Sequence, residues 1–182
     1  MTRFPWGVRV GVATLMVVAA MVATTSPLRA QRGLDEDEVK AAFLFNFVKF
    51  VQWPPSNDRP ADVIVIGVVG REPFGDVMDS VVRGKTVNGR ELVVRRLSAD
   101  QDPRTVHMLF IEASEARRSA DVLKRAQSGG VLTVGETRQF LEEGGLVRFY
   151  VEANRLRFQI DAEGAQREGL KISSQLLSLA KK

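Results

Sequence analysis

Residues 41–55, AAFLFNFVKFVQWPP, concentrate four phenylalanines and a tryptophan in about four helical turns, and only Asn46, Lys49 and Gln52 interrupt them. Positions 35, 38, 42, 46 and 49 recur at three- and four-residue spacing, with Ala42 the weakest polar member. A helix from Asp35 to Phe50 therefore carries one narrow polar stripe, and Val39, Phe43, Leu44, Phe47, Val48, Phe50 and Val51 cover the rest. The acidic run Asp35-Glu36-Asp37-Glu38 suits a first turn, and Trp53-Pro54-Pro55 closes the helix. Such a segment crosses a membrane, lies in a core, or is shared with another chain. The first option fails. The apolar stretch falls short of the roughly 20 residues a span needs, and Asn46 and Lys49 lie within it.

The chain of 182 residues opens with Arg3 and Arg9, an apolar run from Val10 to Ala23, and small residues ending in Ala30. That order is a secretory signal peptide over 1–30, with a single domain over 31–182. Without a cysteine, lipid anchoring at that site is excluded. Residues 1–30 hold three of the 26 basic residues and no acids, which leaves 23 basic against 22 acidic residues. The high pI is thus poor support for nucleic acid as a partner, and none is expected. No cysteine and one histidine, His107, argue against zinc, haem or iron–sulfur sites, and no cofactor is expected.

Further along, VIVIGVVG (63–70) reads as a strand buried on both faces. A short helix from Phe74 to Val82, an Asn-Gly turn, and strands in ELVVRRL and HMLFIEA follow. Ser114 is expected to cap a helix to Ala126, VLTV to form a strand, and 136–142 a helix. LVRFYVEANRLRFQID reads as a hairpin turning at Glu152-Ala153-Asn154; a helix over 162–168 and a last helix capped by Ser173 or Ser174 complete the chain. The expected fold is a three-layer α/β/α sandwich, its mixed sheet ending in a C-terminal hairpin and helices.

No residue set assembles into an active site. Gly67, Gly70 and Gly75 follow a strand without phosphate-loop spacing, and Glu72 and Asp76 would repel an anion there. His107 has no identifiable nucleophile or orienting acid, and a polar residue at a strand entrance explains it.

Taken together, AAFLFNFVKFVQWP, VIGVVGREPFG, GKTVNGRELVVRRL, MLFI, VLTVGE, EEGGLVRF and RLRFQIDAEGAQREGLKISSQLLSLAK resemble, in order, the YfiR-like family of periplasmic proteins. The resemblance implies a dimeric α/β regulator, not an enzyme. It would hold a membrane-bound diguanylate cyclase inactive through the cyclase's periplasmic region, lowering cyclic di-GMP and restraining biofilm. An OmpA-like outer-membrane lipoprotein would sequester it. The chain lacks the founding member's cysteines, so disulfide-based control does not carry over.

On this reading, Phe43, Phe47 and Phe50 pack on the sheet and Leu44, Val48 and Val51 meet a second subunit or partner, with Trp53 at the same surface; a helix wedged inside the chain is the alternative. Arg148, Arg155 and Arg157 form a second candidate surface on the hairpin. The rival function is a periplasmic small-molecule sensor, its ligand held by loops at the carboxyl ends of the strands: Gly70-Arg71, Glu112 to Ser114, Gly135-Glu136.

Overall fold

A computed structural model describes residues 28–56, 58–71 and 74–180, with side chains from residue 36 onward. The expected signal peptide, apart from its last three residues, and Glu72 lie outside the described residues.

The chain folds in the order α1 (Leu28–Phe50), β1 (Val51–Gln52), β2 (Val63–Val69), α2 (Val77–Val82), β3 (Thr86–Val87), β4 (Arg90–Leu97), β5 (Met108–Ile111), α3 (Ser119–Ala126), β6 (Leu132–Gly135), β7 (Val147–Glu152), β8 (Arg155–Ile160), α4 (Ala162–Arg167), β9 (Lys171–Ile172) and α5 (Ser174–Leu179). The main sheet has seven strands in the order β3-β4-β2-β5-β6-β7-β8. Its five central strands run parallel, and β3 and β8 are antiparallel edges. Strands β1 and β9 pair separately, Val51 opposite Ile172, and fasten the end of α1 to the C-terminal region.

The continuous apolar run of β2 serves two cores because successive side chains point to opposite faces. Ile64, Ile66 and Val68 join Leu44, Phe47 and Val48 of α1, while Val65 and Val69 join Val122, Leu123 and Ala126 of α3. In β5, Met108 and Phe110 face the first core, Leu109 and Ile111 the second. Helices therefore cover both faces, which is the expected sandwich. Burial of each such side chain contributes on the order of 2 kcal/mol.

Three local expectations are corrected. Helix α1 begins at Leu28, so the acidic run falls beyond its first turn. Ser114 caps nothing; its hydroxyl donates to Glu112 Oε2 (2.7 Å), and α3 starts at Ser119, a buried residue whose hydroxyl donates to Glu143 Oε2 (2.5 Å). Residues 136–142 form successive turns, not a helix. Phe140, fully buried, lies against Gly135 and Gly145, where any Cβ would collide with its ring. Local bonds from Phe140 N to Thr137 O and from Gly145 N to Phe140 O keep the chain tightly curled around that insertion. Ser173 does cap α5, accepting from Leu176 N (3.2 Å). The hairpin turns at Ala153 and Asn154, both with positive φ, as a two-residue turn between right-twisted strands requires.

Candidate functional site

Helix α1 resolves the opening alternatives in favour of enclosure. Ala41, Leu44, Phe47, Val48 and Val51 are each at most 3% exposed within the single chain. The flank assigned to a partner is thus corrected: Leu44, Val48 and Val51 are sealed among the chain's own elements. The thin polar stripe holds, with Glu38, Ala42, Asn46 and Lys49 exposed. The aromatic rings reach the hairpin. Phe47 stacks on Phe149 (5.7 Å) and meets Phe158 edge-on (5.1 Å), and Phe43 meets Phe158 edge-on at 5.5 Å. Phe43 and Phe50 are half-buried.

Those rings clamp the inner face of the hairpin, so alternation sends its polar side chains the other way. Pairing sets Arg148 opposite Gln159, Tyr150 opposite Arg157, and Glu152 opposite Arg155. The structure thereby brings Arg148, Arg155 and Arg157 onto one face. Their states differ. Arg148 is held within the chain, donating to Gln159 Oε1 (2.6 Å) and Arg138 O (3.1 Å) with its guanidinium over the Tyr150 ring. Arg155 and Arg157 are exposed; Val151, 58% exposed, alternates onto the opposite face with Leu156. Strand β8 is the sheet's edge, with no further strand beside it among the described residues.

The loops at the carboxyl ends of β2, β5 and β6 also converge, and they are closed on themselves. Glu112 Oε2 accepts from Arg71 N (3.0 Å) and from Ser114, and Glu136 Oε2 accepts from Ala113 N (3.4 Å). Glu136 Oε1 pairs with Lys40 Nζ at 2.5 Å, and Lys40 also holds Glu36 at 2.8 Å. Burial alone would lower the Lys40 pKa, but its hydrogen bonds to Glu136 and Glu36 and their negative charges together outweigh that and raise it. Asp37 is raised by burial, opposed by Lys40 and reinforced by Glu36, Glu136 and Glu112. Gly70 serves packing, since a Cβ there would strike the Glu112 side chain.

The opposite end of the parallel strands gathers Trp53, assigned from sequence to a partner surface, and His107 with two residues that sequence reasoning passed over, Arg59 and Arg90. Trp53 Nε1 donates to His107 O (2.6 Å), and the two rings meet edge-to-face. Arg59, 6% exposed, donates to the carbonyls of Gly129, Gly130 and Pro54, tying three loops together. Arg90 donates to Val63 O (2.5 Å) and lies 2.7 Å from His107 Nε2. The His107 pKa is lowered to about 4 by burial, then by Arg90 and Arg59. The only available sequence signal was the lone histidine beside a strand.

The sequence matches the family described as YfiR/HmsC-like over residues 37–181, nearly all of the described domain. The chain belongs to the YfiR/HmsC-like family. At the level of the family, that means periplasmic regulators of diguanylate cyclases. No curated protein sequence matches it significantly. Among solved structures, a "conserved domain protein" from Vibrio cholerae O1 biovar eltor is similar, with a TM-score of 0.57 and 12% identity. That likeness covers 80% of this chain and 59% of the other, so this chain spans about three-fifths of its length and shares its fold. The "ABC domain in complex with L-Trp" from Streptococcus pneumonia (TM-score 0.45, 15% identity, 65% and 54% coverage) is too slight a likeness to bear on either. Among the described residues of this YfiR/HmsC-like chain, no helix is long and apolar enough to cross a membrane.

Proposed function

We propose that this chain is an exported periplasmic repressor that binds the periplasmic region of an inner-membrane diguanylate cyclase and lowers cyclic di-GMP. The carrying observation is the family match across 37–181, which spans the hairpin surface. The outer face of the hairpin supports the contact: Arg155 and Arg157 are exposed there on an edge strand. Exposed arginine suits the anchor of a partner interface. A repressor acts by binding one state of the cyclase more tightly than the other; about 5.5 kcal/mol of preference moves a switch from 99:1 to 1:99. The same reading takes the chain to act as a homodimer without catalysis and to be sequestered by an OmpA-like outer-membrane lipoprotein.

Cells lacking the gene test this. Cyclic di-GMP should rise on deletion and return with the wild-type chain, but not with folded R155E/R157E. Unchanged cyclic di-GMP on deletion, with no cyclase recovered from membranes alongside the tagged chain, would overturn it.

A further inference from the structure

The amino-terminal end of the sheet has more hydrogen-bond donors than acceptors. His107 Nδ1 lies 3.1 Å from Val65 N, an obligate donor, so Nδ1 is unprotonated and the neutral ring carries its hydrogen on Nε2. The group facing Nε2 at 2.7 Å is Arg90 Nη2, which has no lone pair to offer and already donates to Val63 O and Pro60 O. Two N–H donors therefore confront one another. Protonating the ring does not help, because Nδ1–H would then face Val65 N–H. Arg90 Nε is also buried without a partner. An unpaired buried donor costs about 1–3 kcal/mol, so these groups call for an acceptor the chain does not supply.

The space for one adjoins them. A cavity of about 240 Å³ is lined by Trp53, Pro54, Arg59, Pro60, Arg90 and His107 among others, and no acid lines it among the described residues. Among the described residues, neither Arg59 nor Arg90 forms an ion pair with a carboxylate; the acid whose charge reaches Arg59 is the exposed Asp58. Guanidinium groups match carboxylate oxygens well, and the indole and proline rings offer an apolar wall.

We propose that this corner binds a small organic carboxylate, whose oxygens accept from His107 Nε2–H and Arg90 Nε–H while its apolar part lies against Trp53 and the prolines. The charge of Arg59, held nearby by backbone carbonyls, adds attraction, with the exposed Asp58 the one acid whose charge reaches it. This site lies at the end of the sheet opposite the loops considered from sequence, and it does not depend on the regulatory reading.

The test is thermal denaturation and calorimetry of the exported chain with sodium propionate or benzoate, against chloride, sulfate and phosphate at matched ionic strength. The two carboxylates should raise Tm saturably and the inorganic anions should not. Arg90→Met should weaken carboxylate binding at least tenfold, while Arg71→Met at the far end should leave it unchanged. Should Arg90→Met fail to fold, benzoate titrated into the unsubstituted protein should move the His107 Nε2 nitrogen resonance saturably. Equal stabilisation by sulfate or phosphate, affinity retained in Arg90→Met, a still His107 resonance, or no saturable response to either carboxylate would each overturn the assignment.

Discussion

The two ends of the parallel sheet handle charge in opposite ways. At the carboxyl end, Lys40 holds Glu36 and Glu136, and Glu112 accepts from a backbone N–H and a hydroxyl. That end is acid-rich and internally paired. At the amino end, Arg59, Arg90 and His107 share a corner that no acid lines among the described residues, and two of their donors face nothing that accepts. Ligands of open α/β sheets usually bind beyond the carboxyl ends of strands. Here the first helix brings Lys40 over that end and ties up its carboxylates, whereas the segment that follows it and β1 lines a cavity at the other through Trp53. Position along a strand matters less than which polar groups the surrounding elements leave unmatched.

The largest effect that would sharpen this contrast comes from Arg59→Leu. Three carbonyls would lose a charged donor inside a buried site, and stability to urea should fall by about 3–4 kcal/mol. A loss below about 1 kcal/mol would show that Arg59 does not hold these loops.

Next is the pH response, in which the two ends have opposite signs. His107 has a folded pKa of about 4 against 6.5 in the unfolded chain, so the unfolded state binds the extra proton between those values. Its stabilising contribution is complete above pH 6.5 and is lost as pH falls toward 4, by up to about 3 kcal/mol. Asp37, raised above 3.8 by burial, works the other way: its contribution is present at low pH and lost as pH rises through its folded pKa. Unfolding followed from pH 8 to 4 should show the histidine loss, and a His107→Phe variant should flatten it.

A smaller change is expected from Glu136→Gln, which keeps an acceptor for Lys40 but removes one of its two paired charges; about 1 kcal/mol should be lost, less in high salt. R155E/R157E should be smallest, within about 0.5 kcal/mol, since both side chains are exposed. A larger drop would tie the hairpin face to folding as well as to partners.

Much of this architecture could be read in advance because periodicity reports burial. The run 63–69 is apolar throughout since both its faces are covered, and the alternation of 147–160 marks a hairpin with one inner and one outer face. The polar stripe of α1 was legible too, yet which elements enclosed Leu44, Val48 and Val51 was not, because helical spacing says how many sides are apolar and not what covers them. Residues 136–142 carried helical composition, but the docking of Phe140 on Gly135 and Gly145 is a tertiary contact with no local signature. The three hairpin arginines share a face by strand alternation alone. Arg59 and Arg90 gave no hint: one lies in a turn-rich loop, the other beside an Asn-Gly turn, and they meet His107 only once β4, β2 and β5 are adjacent.

Nitrogen-detected spectroscopy of the single imidazole is the sharpest probe of the donor-rich corner. In buffer free of organic acids at pH 7, His107 should be neutral with its hydrogen on Nε2 and Nδ1 bare, and added benzoate should shift Nε2 while leaving that tautomer unchanged. An imidazole carrying its hydrogen on Nδ1 would leave Nε2 free to accept from Arg90, and would mean that the two already satisfy each other and that the corner wants no acceptor.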